Sequence, residues 1–208
     1  MTRKILVVAA RPDDEWFGLG GMLLKYKKQF HYEVNILIVT DGERGDNQGP
    51  ERMKSSEDLC NIVLGTKLKS FGVPANEIDN HITETISMLD VVIHQLQPEI
   101  ILTHYSRDTH QDHRAVFDIV QSSCRHAPDA SLWMFNTPSS VNFIPNMIVN
   151  IDEYFLDKIM IYQRYFEKEI KNRPRFGVDQ MERICSYWGS KIMRTYADPF
   201  RVYKGVVL

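Results

Sequence analysis

A doubly wound α/β sheet, mostly parallel and covered by helices on both faces, is the fold class this sequence predicts. Two observations carry it. Short aliphatic runs of the kind that form strands buried on both faces alternate with segments of helical period. Clusters of ionisable residues fall just after three of those runs, at the edge where open parallel sheets place their ligands.

The first run is KILVVAA, residues 4 to 10, followed by RPDDE at 11 to 15 and a helical stretch over 17 to 30. Its GLGG segment, 18 to 21, supplies small residues that let a helix lie close to a sheet. VNILIVT at 34 to 40 is the second strand, and DGERGDNQGP at 41 to 50 is aperiodic, either a site wall or a solvated loop. A helix over 51 to 64, a strand KLKSFG at 67 to 72 and a helix over 81 to 97 follow. EIILTHY at 99 to 105 leads into HYSRDTHQDHR, 104 to 114, and a helix over 113 to 126. Strands SLWMF (131 to 135) and NMIVNID (146 to 152) then precede helices near 153 to 171 and 179 to 193, separated by RPRFG at 173 to 177.

A chain of 208 residues without internal repeats reads as a single domain over 1 to 208. With 43% hydrophobic residues and a net charge of −2, it has no general basic field for a nucleic-acid backbone, which argues against nucleic acid as a partner. It contains no apolar run of about 18 residues to span a bilayer, and its first residues turn acidic too soon for a signal peptide, so a cytoplasmic location is expected. Cys60, Cys124 and Cys185 are far apart in amphipathic stretches and read as small buried hydrophobes. The amphipathic stretch IMIYQRYFEKEIK could also serve as a homo-oligomer contact.

If the sheet is parallel, RPDDE, TDGERG and HYSRDTHQDHR meet at one edge. Asp13, Asp14, His110, Asp112 and His113 would then share one crevice, more ionisable chemistry than a surface needs. His110 and His113 sit three apart on one helical face, so one can ligate a metal while the other faces a substrate, with a neighbouring carboxylate fixing a tautomer. In PDDE one aspartate can ligate a divalent ion while the other takes a proton from metal-bound water. Taken singly, a solvated two-histidine loop and an ordinary helix N-terminus are the favoured explanations of these motifs. Their pairing at one sheet edge favours a site.

RPDDE together with DTHQDHRAV resembles the two signature motifs of the PIG-L/LmbE family of N-deacetylases, written AHPDDE, with a Gly-Gly pair after it, and HxDH. TDGERG is similar to that family's T-x-G-x-G loop, Leu64-Gly65 to the end of its next helix, and RTYADPF at 194 to 200 to its Tyr-Ala-Glu-x-Phe segment. The resemblance covers nearly the whole chain. It implies a Rossmann-like, three-layer LmbE-type fold and a zinc-dependent hydrolase that removes an N-acetyl group from an amino sugar, such as an N-acetylglucosamine conjugate. Carried over, Asp14 and His113 are metal ligands, Asp13 is the general base, His110 stabilises the oxyanion, and Asp112 is the electrostatic partner of His110. Arg44 and Arg52 are candidates to hold an anionic substituent of the sugar, and Trp16, next to the acidic motif, to stack on it.

The departure is Arg11, which stands where the resembling motif has its third ligand, a histidine. A catalytic zinc normally has three protein ligands plus water. A guanidinium about 4 Å away repels Zn²⁺ by about 8 kcal/mol at an effective dielectric near 20. Three readings of Arg11 follow. Metal is kept through a substitute ligand, His104 by motif position; or the metal is lost and Arg11 pairs with the aspartates, leaving a protein that binds a sugar or sugar nucleotide; or Arg11 grips a phosphate or carboxylate of the ligand. A histidine replaced deliberately would leave the same residue here.

Overall fold

The aliphatic runs assemble into one seven-stranded sheet in a computed structural model that describes residues 2 to 43, 45, 47 to 172 and 177 to 206. Its elements in chain order are β1 (Lys4–Ala9), α1 (Asp14–Phe30), β2 (Glu33–Thr40), α2 (Gly49–Leu59), β3 (Lys69–Val73), α3 (Ile82–Leu96) and β4 (Ile100–His104). After these come α4 (Gln111–Ser123), β5 (Ser131–Phe135), β6 (Met147–Asn150), α5 (Phe155–Asn172), α6 (Val178–Ser190) and β7 (Ala197–Lys204). The strand order is β3-β2-β1-β4-β5-β7-β6, parallel from β3 to β5, with β7 antiparallel to both of its neighbours.

Strand alternation distributes β1 between two cores. Ile5, Val7 and Ala9 pack with residues of α1, α2, α5 and α6, whereas Leu6, Val8 and Ala10 pack with α3 and α4. This is the three-layer arrangement that the alternating pattern predicts. The chain turns in opposite directions from β1 and β4, so a crevice opens at the carboxyl ends of these two strands.

α1 approaches the sheet closely because two of its glycines permit it. A Cβ at Gly18 would lie 2.7 Å from Asn136 O and from a Phe135 ring carbon, and one at Gly21 would lie 2.6 Å from Ile151 Cδ1. A buried ion pair then joins α1, α5 and β7. Lys158 Nζ donates to Asp198 Oδ1 at 2.6 Å, while Asp198 Oδ2 accepts from the Met22 backbone N–H at 2.9 Å. Both charged side chains are almost wholly buried.

β7 is an element the aliphatic pattern misses. Pro199 interrupts it, and proline argues against a central strand. The structure resolves the conflict by register: Ile148 of β6 faces Pro199, while the β5 ladder reaches β7 only from Phe200 onward. Pro199 therefore has a ladder partner on one side alone. α1 starts at Asp14 rather than 17, and the predicted helix to 64 ends at Leu59 and continues as a π-helical turn over Cys60–Leu64. Of the RPRFG break, residues 173 to 176 lie outside the described residues. Cys60 and Cys185 are buried. Among the described residues no helix is long and apolar enough to cross a membrane.

Removing one partner of the Lys158–Asp198 pair leaves a buried charge uncompensated. We expect Lys158→Met or Asp198→Ala to cost about 3–5 kcal/mol in urea unfolding, and Lys158→Met/Asp198→Leu to recover most of that loss.

Candidate active site

The turn after β1 delivers Arg11 and Asp14 to the crevice, and it is strained. Asp13 has φ 89° and ψ −31°, a left-handed conformation that a non-glycine residue adopts only when its surroundings impose it. Asp13 and Asp14 are fully buried. Pairing of β1 with β4 brings His104 beside them, and α4, which begins at Gln111, adds His110 and His113. In the turn after β2, Thr40 Oγ1 donates to Ala10 O at 2.7 Å, and Asp41 Oδ1 accepts from Glu43 N and Ala75 N.

The Arg11 guanidinium occupies the middle of the cluster. Its Nη1 lies 2.8 Å from His110 Nε2, its Nη2 lies 3.1 Å from His113 Nε2, and its Nε lies 3.8 Å from Asp14 Oδ2. Arg11 is 8% exposed and the His110 side chain 25%, whereas the His104 and His113 side chains are sealed. Whatever enters the crevice meets Arg11 and His110 first.

Each histidine has a distinct proton problem. His104 Nε2 accepts from the Ala10 backbone N–H at 2.8 Å, and its ring stacks on His113 with centroids 3.9 Å apart. Burial, and after it His113, hold His104 well below the usual histidine range. His110 caps α4 by accepting the Asp112 N–H at Nδ1, 3.1 Å away. A neutral ring has one bare nitrogen, so accepting from Arg11 at Nε2 competes with accepting that cap. Burial followed by the Arg11 charge pushes His110 down to about 4.

His113 Nε2 faces Asp14 Oδ2 at 3.2 Å as well as Arg11, and its Nδ1 faces Asp108 Oδ2 at 3.3 Å. Burial works against an imidazolium there, but Asp14 and Asp108 outweigh it and raise His113 to about 9. The Arg11 contact acts in the opposite sense, because a protonated Nε2 would set two donors 3.1 Å apart. Burial likewise opposes ionisation of Asp14, yet His113 and Arg11 hold it below the usual carboxylate range.

Asp14, His104 and His113 could hold a metal: each offers a ligand atom, and these atoms lie within 4.8 Å of one another. Asp14 Oδ1 is buried without a hydrogen-bond partner, while Oδ2 faces His113 and Arg11. Against this, the His104 Nε2 lone pair is engaged by Ala10, and Arg11 stands against His113 and Asp14.

The sequence model of the PIG-L family, described as GlcNAc-PI de-N-acetylase, matches residues 6 to 124, more than half of the chain. This chain belongs to the PIG-L family. It is 24% identical over 170 residues to the uncharacterized deacetylase YaiS of Escherichia coli, covering 78% of this chain and 90% of that protein. Its fold matches N,N'-diacetylchitobiose deacetylase from Pyrococcus horikoshii with a TM-score of 0.80 at 19% identity, over 97% of this chain and 84% of that one. It also matches GalB, the 4-carboxy-2-hydroxymuconate hydratase of Pseudomonas putida, with a TM-score of 0.80 at 17% identity, over 100% and 98% of the two chains.

Of the site residues expected in this PIG-L member, the structure gathers Arg11, Asp14, His104, His110 and His113, with Asp13 in the turn beside them. The Asp112 carboxylate lies 4.0 Å from His110 Nδ1 and also accepts from Asn76 N at 3.1 Å. Trp16 is a correction. It is fully buried, its Nε1 donates to Lys158 O at 3.1 Å, and helical geometry from Asp14 turns it into the core, out of reach of any sugar. Arg52 is also structural, buried against Glu169 and donating to Gly42 O. Arg44 lies outside the described residues.

Two residues went unread in the sequence. Asp108 accepts the His110 N–H at 2.8 Å in an Asx turn, a signal present in the Asp-x-His spacing, and it contacts His113. Glu15 is 1% exposed, and burial, then Asp13 and Asp14, push it well above the usual carboxylate range.

The depressed His110 value has a directional consequence. The unfolded ring binds its proton near pH 6.5 and the folded one near 4, so acid between those values favours unfolding at this residue. NMR titration should place His110 near 4, and Arg11→Gln should move it upward by removing the second cause.

Proposed function

We propose that this PIG-L family chain binds an N-acetylated amino sugar in the crevice between β1 and β4, with the Arg11 guanidinium as the cation at its centre in place of a metal. The observation that carries this reading is the position of that guanidinium, between 2.8 and 3.8 Å from His110, His113 and Asp14. With Arg11 there, the residues do not fit a divalent ion. His104 would have to release the Ala10 amide, and a fixed positive charge would sit in contact with the remaining ligands.

A guanidinium donates only, which suits the acetamido oxygen of such a sugar. Arg11 is the donor that would meet that oxygen, with Asp14 Oδ2 3.8 Å from its Nε to hold the guanidinium from behind. What Arg11 does not supply is a water acidified for attack, and so this reading is of a binding protein with little or no turnover.

A second reading has its own observation. The buried Asp14 Oδ1 without a hydrogen-bond partner and the compact Asp14, His104 and His113 set favour a metal-dependent de-N-acylase in which Arg11 swings out of the crevice. A bound divalent metal would supply carbonyl polarisation and an acidified water. Asp13, in its strained turn, would then be the base and His110 the group at the oxyanion.

Elemental mass spectrometry and acetate release separate the two readings. The expected result is sub-stoichiometric zinc and calorimetric binding of N-acetylglucosamine conjugates without acetate release, with zinc acquired in Arg11→His. Arg11→Ala should weaken sugar binding by about 10- to 100-fold, the ~1.5–3 kcal/mol of a hydrogen bond to a charged group. Near-stoichiometric zinc with acetate release from the unaltered protein would establish the second reading instead.

A further inference from the structure

The strained turn that carries Arg11 has to be held from both ends. Asp13, at φ 89°, keeps its left-handed conformation only where the surrounding structure imposes it. On the strand side the hold is plain: Ala10 O accepts from Thr40 N at 3.1 Å and from Thr40 Oγ1 at 2.7 Å, and Ala10 N donates to His104. On the helix side Phe17 N donates to Asp13 O at 2.9 Å, which closes the first turn of α1. That first turn needs an anchor of its own, because the strain would otherwise relax by rotation of the helix.

The contacts that anchor it differ in kind. The Phe17 ring meets the Tyr162 ring edge to face with centroids 5.9 Å apart, and Gly18 lies against Asn136 and Phe135. Contacts of this sort tolerate sliding and small rotations. Trp16 instead donates from Nε1 to Lys158 O at 3.1 Å, a directional bond between two residues that are almost wholly buried. Both of its ends are fixed. The indole lies on Gly20, where a Cβ would stand 3.0 Å from two of its ring carbons, and the Lys158 ammonium is tied to Asp198 at 2.6 Å. An indole has one polar atom, a donor that needs a partner when buried, so the ring takes this place only when the helix is turned to bring its N–H to that carbonyl.

We propose that Trp16 is a positioning residue: by donating to Lys158 O from behind the crevice, it sets the rotation of the first turn of α1, holds Asp13 in its left-handed conformation and keeps Asp14 against Arg11. Residues two apart sit about 160° apart around a helix, so Asp14 and Trp16 project in nearly opposite directions. A rotation that frees the indole therefore carries the carboxylate away by the same angle. The indole acts through the helix turn and not by contact with a ligand. Its effect on ligand binding rests on the Arg11-centred function proposed above, whereas its effect on the turn does not.

Replacing Trp16 in the full chain by benzothienylalanine, whose ring has nearly the same shape and no N–H, removes the donor alone, and Trp16→Phe removes it with part of the packing. Leu23→Val, a buried position about two turns further along α1, reports what general destabilisation does. Hydrogen exchange is read at the Phe17 and Leu23 amides, and N-acetylglucosamine affinity by calorimetry. In both Trp16 variants exchange at Phe17 should speed up by about 10-fold more than at Leu23, and sugar binding should weaken by about 3- to 10-fold, the range set by one hydrogen bond. Leu23→Val should leave sugar affinity unchanged. Unchanged exchange at Phe17, or equal acceleration at both amides, would overturn the proposal, because Trp16 would then support the fold without fixing the turn. So would an unaltered sugar affinity in the benzothienyl variant, or an equal loss in Leu23→Val. If the unaltered protein binds no sugar, the Arg11-centred function is refuted, and selective loosening at Phe17 still establishes Trp16 as the anchor of the turn.

Discussion

The parallel pairing of β1 with β4 sets the rest of the site in place. Ile5, Leu6 and Val7 face Ile100, Ile101 and Leu102, so two segments separated by more than ninety residues end side by side at one edge of the sheet. The consequence appears just past the strand ends, where the Ala10 amide meets His104 Nε2 at 2.8 Å. Everything polar in the crevice is built outward from that contact: Arg11 to Asp14 on one side, and His110 to His113 on the other. Because both strands are buried on both faces, a shift in register would break two hydrophobic cores at once, and the polar geometry inherits the rigidity of the apolar pairing.

Within that frame the site is organised by competition for lone pairs. Three histidines and one arginine meet, and an arginine has none to offer. His104 gives its lone pair to the backbone, His110 divides its own between a helix cap and Arg11, and His113 is held by carboxylates on both ring nitrogens. A metal ion would turn the same nitrogens into ligands, whereas a guanidinium turns them into acceptors. The difference lies in the partner at the centre and not in the surrounding scaffold.

The five parallel strands, most of the helices and the convergence of the two ionisable clusters were legible in the sequence because each depends on local periodicity or on the order of strands. β7 was not, since its proline is tolerated only through a register that no local pattern discloses. Trp16 was misread for a related reason. Adjacency to Asp13 and Asp14 suggested a shared surface, but a helix beginning at Asp14 turns successive side chains by about 100° and sends the indole into the core. Asp108 lay in plain view two residues before His110, yet its contact with His113 depends on the turn after β5, a long-range neighbour that spacing alone does not supply.

Fold likeness leaves the reaction open. A deacetylase and a hydratase both superimpose on this chain with TM-scores of 0.80, so a shared sheet and crevice are compatible with more than one chemistry. What distinguishes such proteins is the charge at the centre and the state of the groups that face it. A divalent metal concentrates its charge on one atom, whereas the guanidinium spreads a single charge over a planar fork and carries its own protons. A centre of the second kind can orient and polarise a carbonyl, but it has no open coordination position at which to generate a nucleophile.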